Sequence, residues 1–230
     1  MMQDLFVKRF SAWAPGIENP KAWDEWAHGS RDMQALSKSP ELGFTDPMFR
    51  RRLSQISKMT IQVVHDLLPI ADDTHMFFLS FRGELSKQFS INQMMIKDKT
   101  LMPAAFSLSV FNAPIALASM ALGLKGGYTA LYPGNNSFMT GLASAAASLE
   151  FRNTEEPDKE SEIVLIYADE MIPIEYSEVQ NENSLPFAFG LLLSKKPSRT
   201  EQLALSNNKN ISAQDFLKAL ILNRETHAAS

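Results

Sequence analysis

No cysteine occurs anywhere in this 230-residue sequence. That absence excludes a disulfide framework, a thiolate nucleophile and any metal site built on sulfur. Charge is missing from one long stretch as well: between Thr100 and Leu149 the single charged side chain is Lys125. A segment of that length without charge does not lie wholly against water, so it is core, membrane span or subunit interface. Pro103, Pro114, Asn112, Ser107, Ser109 and Ser119 interrupt its first half, no basic cluster flanks it, and Gly126 to Leu149 is rich in Gly, Asn and Ser. A bilayer-spanning helix is therefore not expected. Also absent are the HExxH zinc helix, the GxSxG elbow, the Walker loop and the Rossmann GxGxxG. GLKGGY is glycine-rich, but it falls between a helix and a strand, the reverse of a phosphate loop. Asp66, Asp72, Asp73, Asp169 and Glu170 form no recognisable metal set, so neither metal nor cofactor is expected.

What is present is ordinary for a globular protein: 45% hydrophobic residues, 21% charged residues and a net charge of −4. That charge argues against sequence-independent nucleic-acid binding, which needs a concentrated basic face. Arg50-Arg51-Arg52 is the one basic cluster, and it reads as the solvated or salt-bridged start of an amphipathic helix. MMQDLFVKRF lacks the long apolar core of a signal peptide, which makes the cytoplasm the expected location. Arg82 and Glu84, beside Gly83, read as surface charges or as an interface ion pair.

Local patterns predict alternating strands and helices. Leu5 to Phe10 is a short strand, and Pro20 to His28 is a helix with Pro20 in its first turn and Trp23 and Trp26 on one face. A loop rich in Ser, Pro and Gly runs from Gly29 to Asp46. Leu53, Ile56, Ile61, Val64 and Leu68 place an amphipathic helix over Phe49 to Leu68. Met76 to Phe81 is a buried strand, and Glu84 to Ile96 is a polar helix. In the charge-poor block, Leu101 to Phe111 reads as extended or loop, and Ala113 to Leu122 as a helix apolar all round and hence fully buried. Tyr128 to Tyr132 is a strand, Pro133-Gly134-Asn135-Asn136 a sharp turn, and Ser137 to Leu149 a helix of Gly, Ala and Ser. Arg152 to Glu162 is a charged loop; Ile163 to Ala168 and Phe187 to Leu193 are buried strands. Ser212, with Asp215 three residues on, caps a helix over Phe216 to Asn223. Together these imply a layered α/β fold.

Strand, tight turn and small-residue helix is one way of presenting a nucleophile, because the helix N-terminus stabilises negative charge. Here SLSVFNAPIALASMALGLKGGYTALYPGNNSFMTGLASAAASL resembles the N-terminal half of β-ketoacyl-acyl-carrier-protein synthases, which have the thiolase fold. More narrowly it resembles the short, ketosynthase-like chain length factors of aryl polyene type II polyketide synthases. FSAWAPGIENPKAWDEW, RRRLSQISKMTIQVVHDLL, FFLSFRGEL, IVLIYADE and PFAFGLLLS are similar to the flanking strands and helices of that half. The resemblance implies a single ketosynthase-like domain over residues 1–230, with a thiolase-like half over 1–200 and a linker and helix over 201–230.

In that family the catalytic cysteine falls on Asn135, or on Gly134 or Pro133 if the turn is shifted, and none of these forms a thioester. The family's histidines and lysine belong to a second half, for which the residues after Leu193 are too few. The histidines present (His28, His65, His75 and His227) fall elsewhere. Decarboxylative condensation needs an acyl-holding thiolate and donors for the developing enolate; the expectation is a non-catalytic subunit. The resemblance implies an obligate heterodimer with a Cys-containing ketosynthase, and acyl carrier protein as an indirect partner. It makes Tyr128, Thr129, Ala130, Leu131 and Tyr132 the pairing strand at the subunit interface. It makes Ala104, Ala105, Phe106, Leu108 and Phe111 gates on the partner's acyl tunnel. Two alternatives stay open at this stage: a residual malonyl-carrier decarboxylase, and a homodimeric scaffold that binds carrier protein. Asn135 reads equally well as a plain turn residue and helix cap.

Overall fold

A computed structural model of the chain describes residues 5–134, 138–155, 161–179, 185–195, 202–203 and 211–228. The sequence dictates a sheet at its centre. Phe187–Ser194 (β5) is buried at every position, and Glu162–Asp169 (β4) at all but its first. A strand apolar on both sides needs helices on both faces. His75–Leu79 (β2) follows the same rule, whereas Tyr128–Leu131 (β3) is half-buried throughout. With Leu5–Trp13 (β1) and the short Gln202–Leu203 (β6), these strands form a six-stranded mixed sheet in the order β3-β2-β4-β5-β1-β6. β3, β2 and β4 run parallel, and β5 is antiparallel to both β4 and β1.

Alternate residues of the strands feed two apolar layers. Phe77, Leu79, Leu165, Tyr167, Phe189 and Leu191 face one layer, which is covered by Pro20–Ala27 (α1), Phe138–Glu155 (α7) and Ala213–Ala228 (α8). Met76, Phe78, Val164, Ile166, Ala188 and Leu192 face the other, covered by Gln55–His65 (α3) and Ala113–Leu122 (α6). The expected layered α/β architecture is therefore present. Phe138, at the start of α7, sits 4.6 Å from Phe216 of α8 and 5.4 Å from Phe189 of β5, ring centre to ring centre.

The long helix expected over Phe49 to Leu68 is broken into two. Asp46 accepts hydrogen bonds from the Met48 and Phe49 amides and starts the short Pro47–Arg50 (α2). Ser54, in extended conformation, then caps α3 by accepting from the Ser57 amide at 3.1 Å. Two good N-caps within one stretch impose two helix starts, and Arg51 and Arg52 lie exposed in the turn between them rather than opening a helix. Leu101 to Phe111 is not extended: Pro103–Ser107 (α5) makes a short helix with Pro103 in its first turn. α6 spans the expected residues, yet it is not buried all round. Ile115, Leu117 and Ala118 pack inward, while Met120 is 67% exposed. Leu85–Lys97 (α4) buries only Ile91.

Candidate functional site

β3 lies at the rim of the sheet and has one neighbour, β2, with Met76 opposite Tyr128 and Leu79 opposite Leu131. Among the described residues, its other edge carries no strand. Tyr128, Thr129, Ala130 and Leu131 are all half-buried, and Tyr132, just beyond, is 64% exposed. From Gly126 to Gly134 there is no charged residue. Four of the residues expected to pair with another subunit, Tyr128 to Leu131, thus form the outer strand of the sheet among the described residues, and Tyr132 follows it. Its inner side is fixed by local bonds. His75 Nδ1 donates to the Gly126 carbonyl at 2.8 Å, which leaves Nε2 to accept from the Thr129 hydroxyl at 2.9 Å. Burial lowers the proton affinity of His75, in keeping with this neutral form. Asn112 donates to the Tyr128 hydroxyl at 3.2 Å, tying the start of α6 to the strand.

The expected gate residues sit on α5 and the turn after it. Ala104 is exposed, Ala105 half-buried and Phe106 53% exposed, whereas Leu108 and Phe111 rest on the apolar layer beneath α6. Phe111 is held from below by the turn after β2: a side chain on Gly83 (φ +56°) would meet its ring at 2.7 Å. None of the five lines the cavity of about 470 Å³ that opens beside β1, α1 and α8, whose walls include Phe10, Ser11, Trp23, Asp24, Asp66 and Ile221. α5, α6 and the β3 edge nevertheless share a character: Met102, Phe106, Val110, Met120 and Tyr132 all expose large apolar surface.

Of the turn that follows β3, Pro133 is buried and Gly134 takes a left-handed φ of +58°. Asn135 lies outside the described residues. In α7 the small residues have a clear local purpose at one position. A Cβ on Gly141 would stand 1.7 Å from Leu79 Cδ2, so only glycine lets α7 lie directly on β2. Leu142, Ala145 and Leu149 complete that buried face, and Ala143 and Ala147 face outward.

A buried acidic corner at the carboxyl end of β2 and β4 was not legible in the sequence. Glu84, expected at the surface or in an interface ion pair, is fully buried, as are Asp169 and Glu170. Asp169 accepts from the Ser80 hydroxyl at 2.7 Å, the Tyr167 hydroxyl at 2.6 Å and the Phe81 and Arg82 amides, each at 3.1 Å. Burial raises its proton affinity, and Arg82 and these donors oppose that rise. Glu84 accepts from the hydroxyls of Ser54 and Ser57, and Glu170 from the Ser86 amide at 2.8 Å. The corner fastens helices to the sheet, out of contact with solvent. Serines spaced around the strand ends (Ser54, Ser57, Ser80 and Ser86) are the one sequence signal that could have disclosed it.

Residues 23–227 match the family model of the β-ketoacyl synthase N-terminal domain, and the chain belongs to that family. Among solved structures it is similar to a chain from the complex of the ketosynthase ApeO with its chain length factor ApeC from Xenorhabdus doucetiae. That match has a TM-score of 0.70 at 22% identity and covers 95% of this chain and 91% of that one. It is also similar to a chain of the AntDE:AntF complex, a type II polyketide synthase acyl carrier protein with its ketosynthase (TM-score 0.60, 14% identity, 84% and 63% covered). The ishigamide ketosynthase/chain length factor gives a TM-score of 0.54 at 10% identity, with 84% and 58% covered. The chain therefore spans about three-fifths of the latter two proteins and nearly all of the first. These likenesses define the fold, which is the thiolase-like fold of the ketosynthase N-terminal domain. No curated protein matches.

Proposed function

We propose that this chain is a non-catalytic ketosynthase-like subunit, a chain length factor, which pairs with a cysteine-bearing β-ketoacyl synthase and shapes the far end of its acyl tunnel. One observation carries the reading: a β3 edge that is uncharged and, among the described residues, unpaired, flanked by the exposed apolar side chains of α5 and α6. A bare strand edge without charge is an aggregation hazard unless a partner covers it. With no cysteine in the chain, no acyl group can be held here as a cysteine thioester, so the chemistry belongs to the partner. The similar ketosynthase–chain length factor structures support both halves of this reading; acyl carrier protein is then an indirect partner, met through the ketosynthase.

Within the pair, Ala104, Ala105, Phe106, Leu108 and Phe111 face the tunnel of the partner and limit elongation. Small side chains at Ala104 and Ala105 leave space for a long, rigid chain such as an aryl polyene. The test is the double substitution Ala104→Phe and Ala105→Phe in the reconstituted pair. Ala104 is exposed and Ala105 half-buried in the isolated subunit, so the fold accommodates both. The expected outcome is an intact complex that releases shorter products. Products of unchanged length from that complex would remove these residues from the tunnel.

A further inference from the structure

Glu84 is fully buried, yet only one of its carboxylate oxygens is used. Oε1 accepts from Ser54 Oγ at 2.7 Å and Ser57 Oγ at 2.5 Å, while Oε2 has no hydrogen-bond partner. A buried, ionised oxygen without a donor is costly, on the order of 1–3 kcal/mol or more. Glu170 approaches the same place from the end of β4. It accepts from the Ser86 amide at the start of α4 and from the Ile56 amide at the start of α3, so one carboxyl group bridges two helix N-termini. The Gln55 side chain adds a third tie by accepting from the Met171 amide at 2.9 Å.

We propose that one of the two buried carboxyl groups, Glu84 and Glu170, keeps its proton in the folded protein, forming a proton-dependent clamp that fastens the amino ends of α3 and α4 to the sheet. That proton removes the charge conflict between the two groups. Burial, and then the negative charge of Glu84, raise the Glu170 carboxyl to about 7, against the pull of the Ser86 and Ile56 amides. Burial likewise raises Glu84, and Ser57, Ser54 and Lys87 oppose it. The other charged or titratable groups facing the corner are Arg82 in the turn and Asp169 and Tyr167 on β4. Asp169 and Tyr167 are already bonded to each other, and Arg82 donates to the Glu170 carbonyl. The turn that bears Glu84 also carries Phe81, packed edge-on against Tyr132 at 6.0 Å, and Gly83, pressed against Phe111.

The sign of the effect follows from proton counting. The folded protein keeps a proton that an unfolded glutamate, with its ordinary value of 4.5, has released. Stability contributed by the clamp is complete below that value, falls as pH rises toward 7, and levels off above it. The experiment is urea unfolding of the full chain between pH 5 and 8.5, comparing wild type with Glu170→Gln and Glu84→Gln. Between pH 5 and 6.5 the ratio of the wild-type to the Glu170→Gln unfolding constant should rise by up to about tenfold per pH unit. His75, whose lowered proton affinity works in the opposite direction, cancels in that ratio. Glu84→Gln should shift the dependence to lower pH by removing the neighbouring charge. Parallel wild-type and Glu170→Gln profiles would overturn the clamp. If neither variant folds, carboxyl-carbon NMR of the wild type decides: one glutamate titrating near neutrality supports it, and all titrating below about pH 5 refutes it. None of these readouts depends on a partner subunit.

Discussion

Gly141 shows how much of this fold rests on single atoms. With a side chain at that position α7 could not lie on β2, because Leu79 already occupies the space. Gly141→Ala should therefore cost about 1–3 kcal/mol through overpacking, even though alanine is the better helix former by roughly 1 kcal/mol. Urea unfolding checks the direction: a stabilised variant would show that propensity outweighs the contact. The run of Gly, Ala and Ser announced close helix packing from the sequence, but not which surface it met. Glu84 was less legible still. A glutamate beside an arginine and a glycine reads as solvated, and its burial depends on serines 27 and 30 positions away in sequence. Such a non-local cluster leaves no periodic trace.

At the scale of elements, the buried strands were the most readable. Runs such as IVLIYA and FAFGLLL have one physical solution in a chain of this composition, and β4 and β5 fall within a residue or two of their expected limits. Apolar periodicity misled where capping decided the outcome: Ser54 divides what Leu53 and Leu68 suggested was one helix. The apolar helix α6 misled for a different reason. Uniform hydrophobicity marks a surface removed from water, but a monomer supplies only one cover for it, and Met120 projects from the other side. That exposed side, with Phe106 on α5 and Tyr132 after β3, is where an element-scale prediction belongs. Phe106→Asp together with Tyr132→Asp should leave the fold intact, since both side chains are more than half exposed, at a cost within about 1 kcal/mol. The same pair should abolish capture of the chain by an immobilised ketosynthase, because two charges desolvated at an apolar seam weaken binding by roughly 2–5 kcal/mol or more. Undiminished capture would place the seam elsewhere.

For the whole molecule, the sheet is finished on both faces and unfinished along one rim. α1, α7 and α8 cover one side and α3 and α6 the other, whereas among the described residues β3 has no neighbour beyond it. Family membership rests on a match over residues 23–227, and no cysteine is available within the chain to hold an acyl group. The proposed pairing reconciles these facts: in it, the partner continues the sheet past β3 and supplies the thiol. An obligate interface of this kind typically buries on the order of 2,000 Å² or more. The decisive measurement is the mass in solution, by size exclusion with light scattering, of the chain produced alone and together with a ketosynthase encoded beside it. The account predicts a soluble one-to-one heterodimer, both from co-production and on mixing the separately produced chains. A stable monomer or homodimer that ignores the ketosynthase would contradict it.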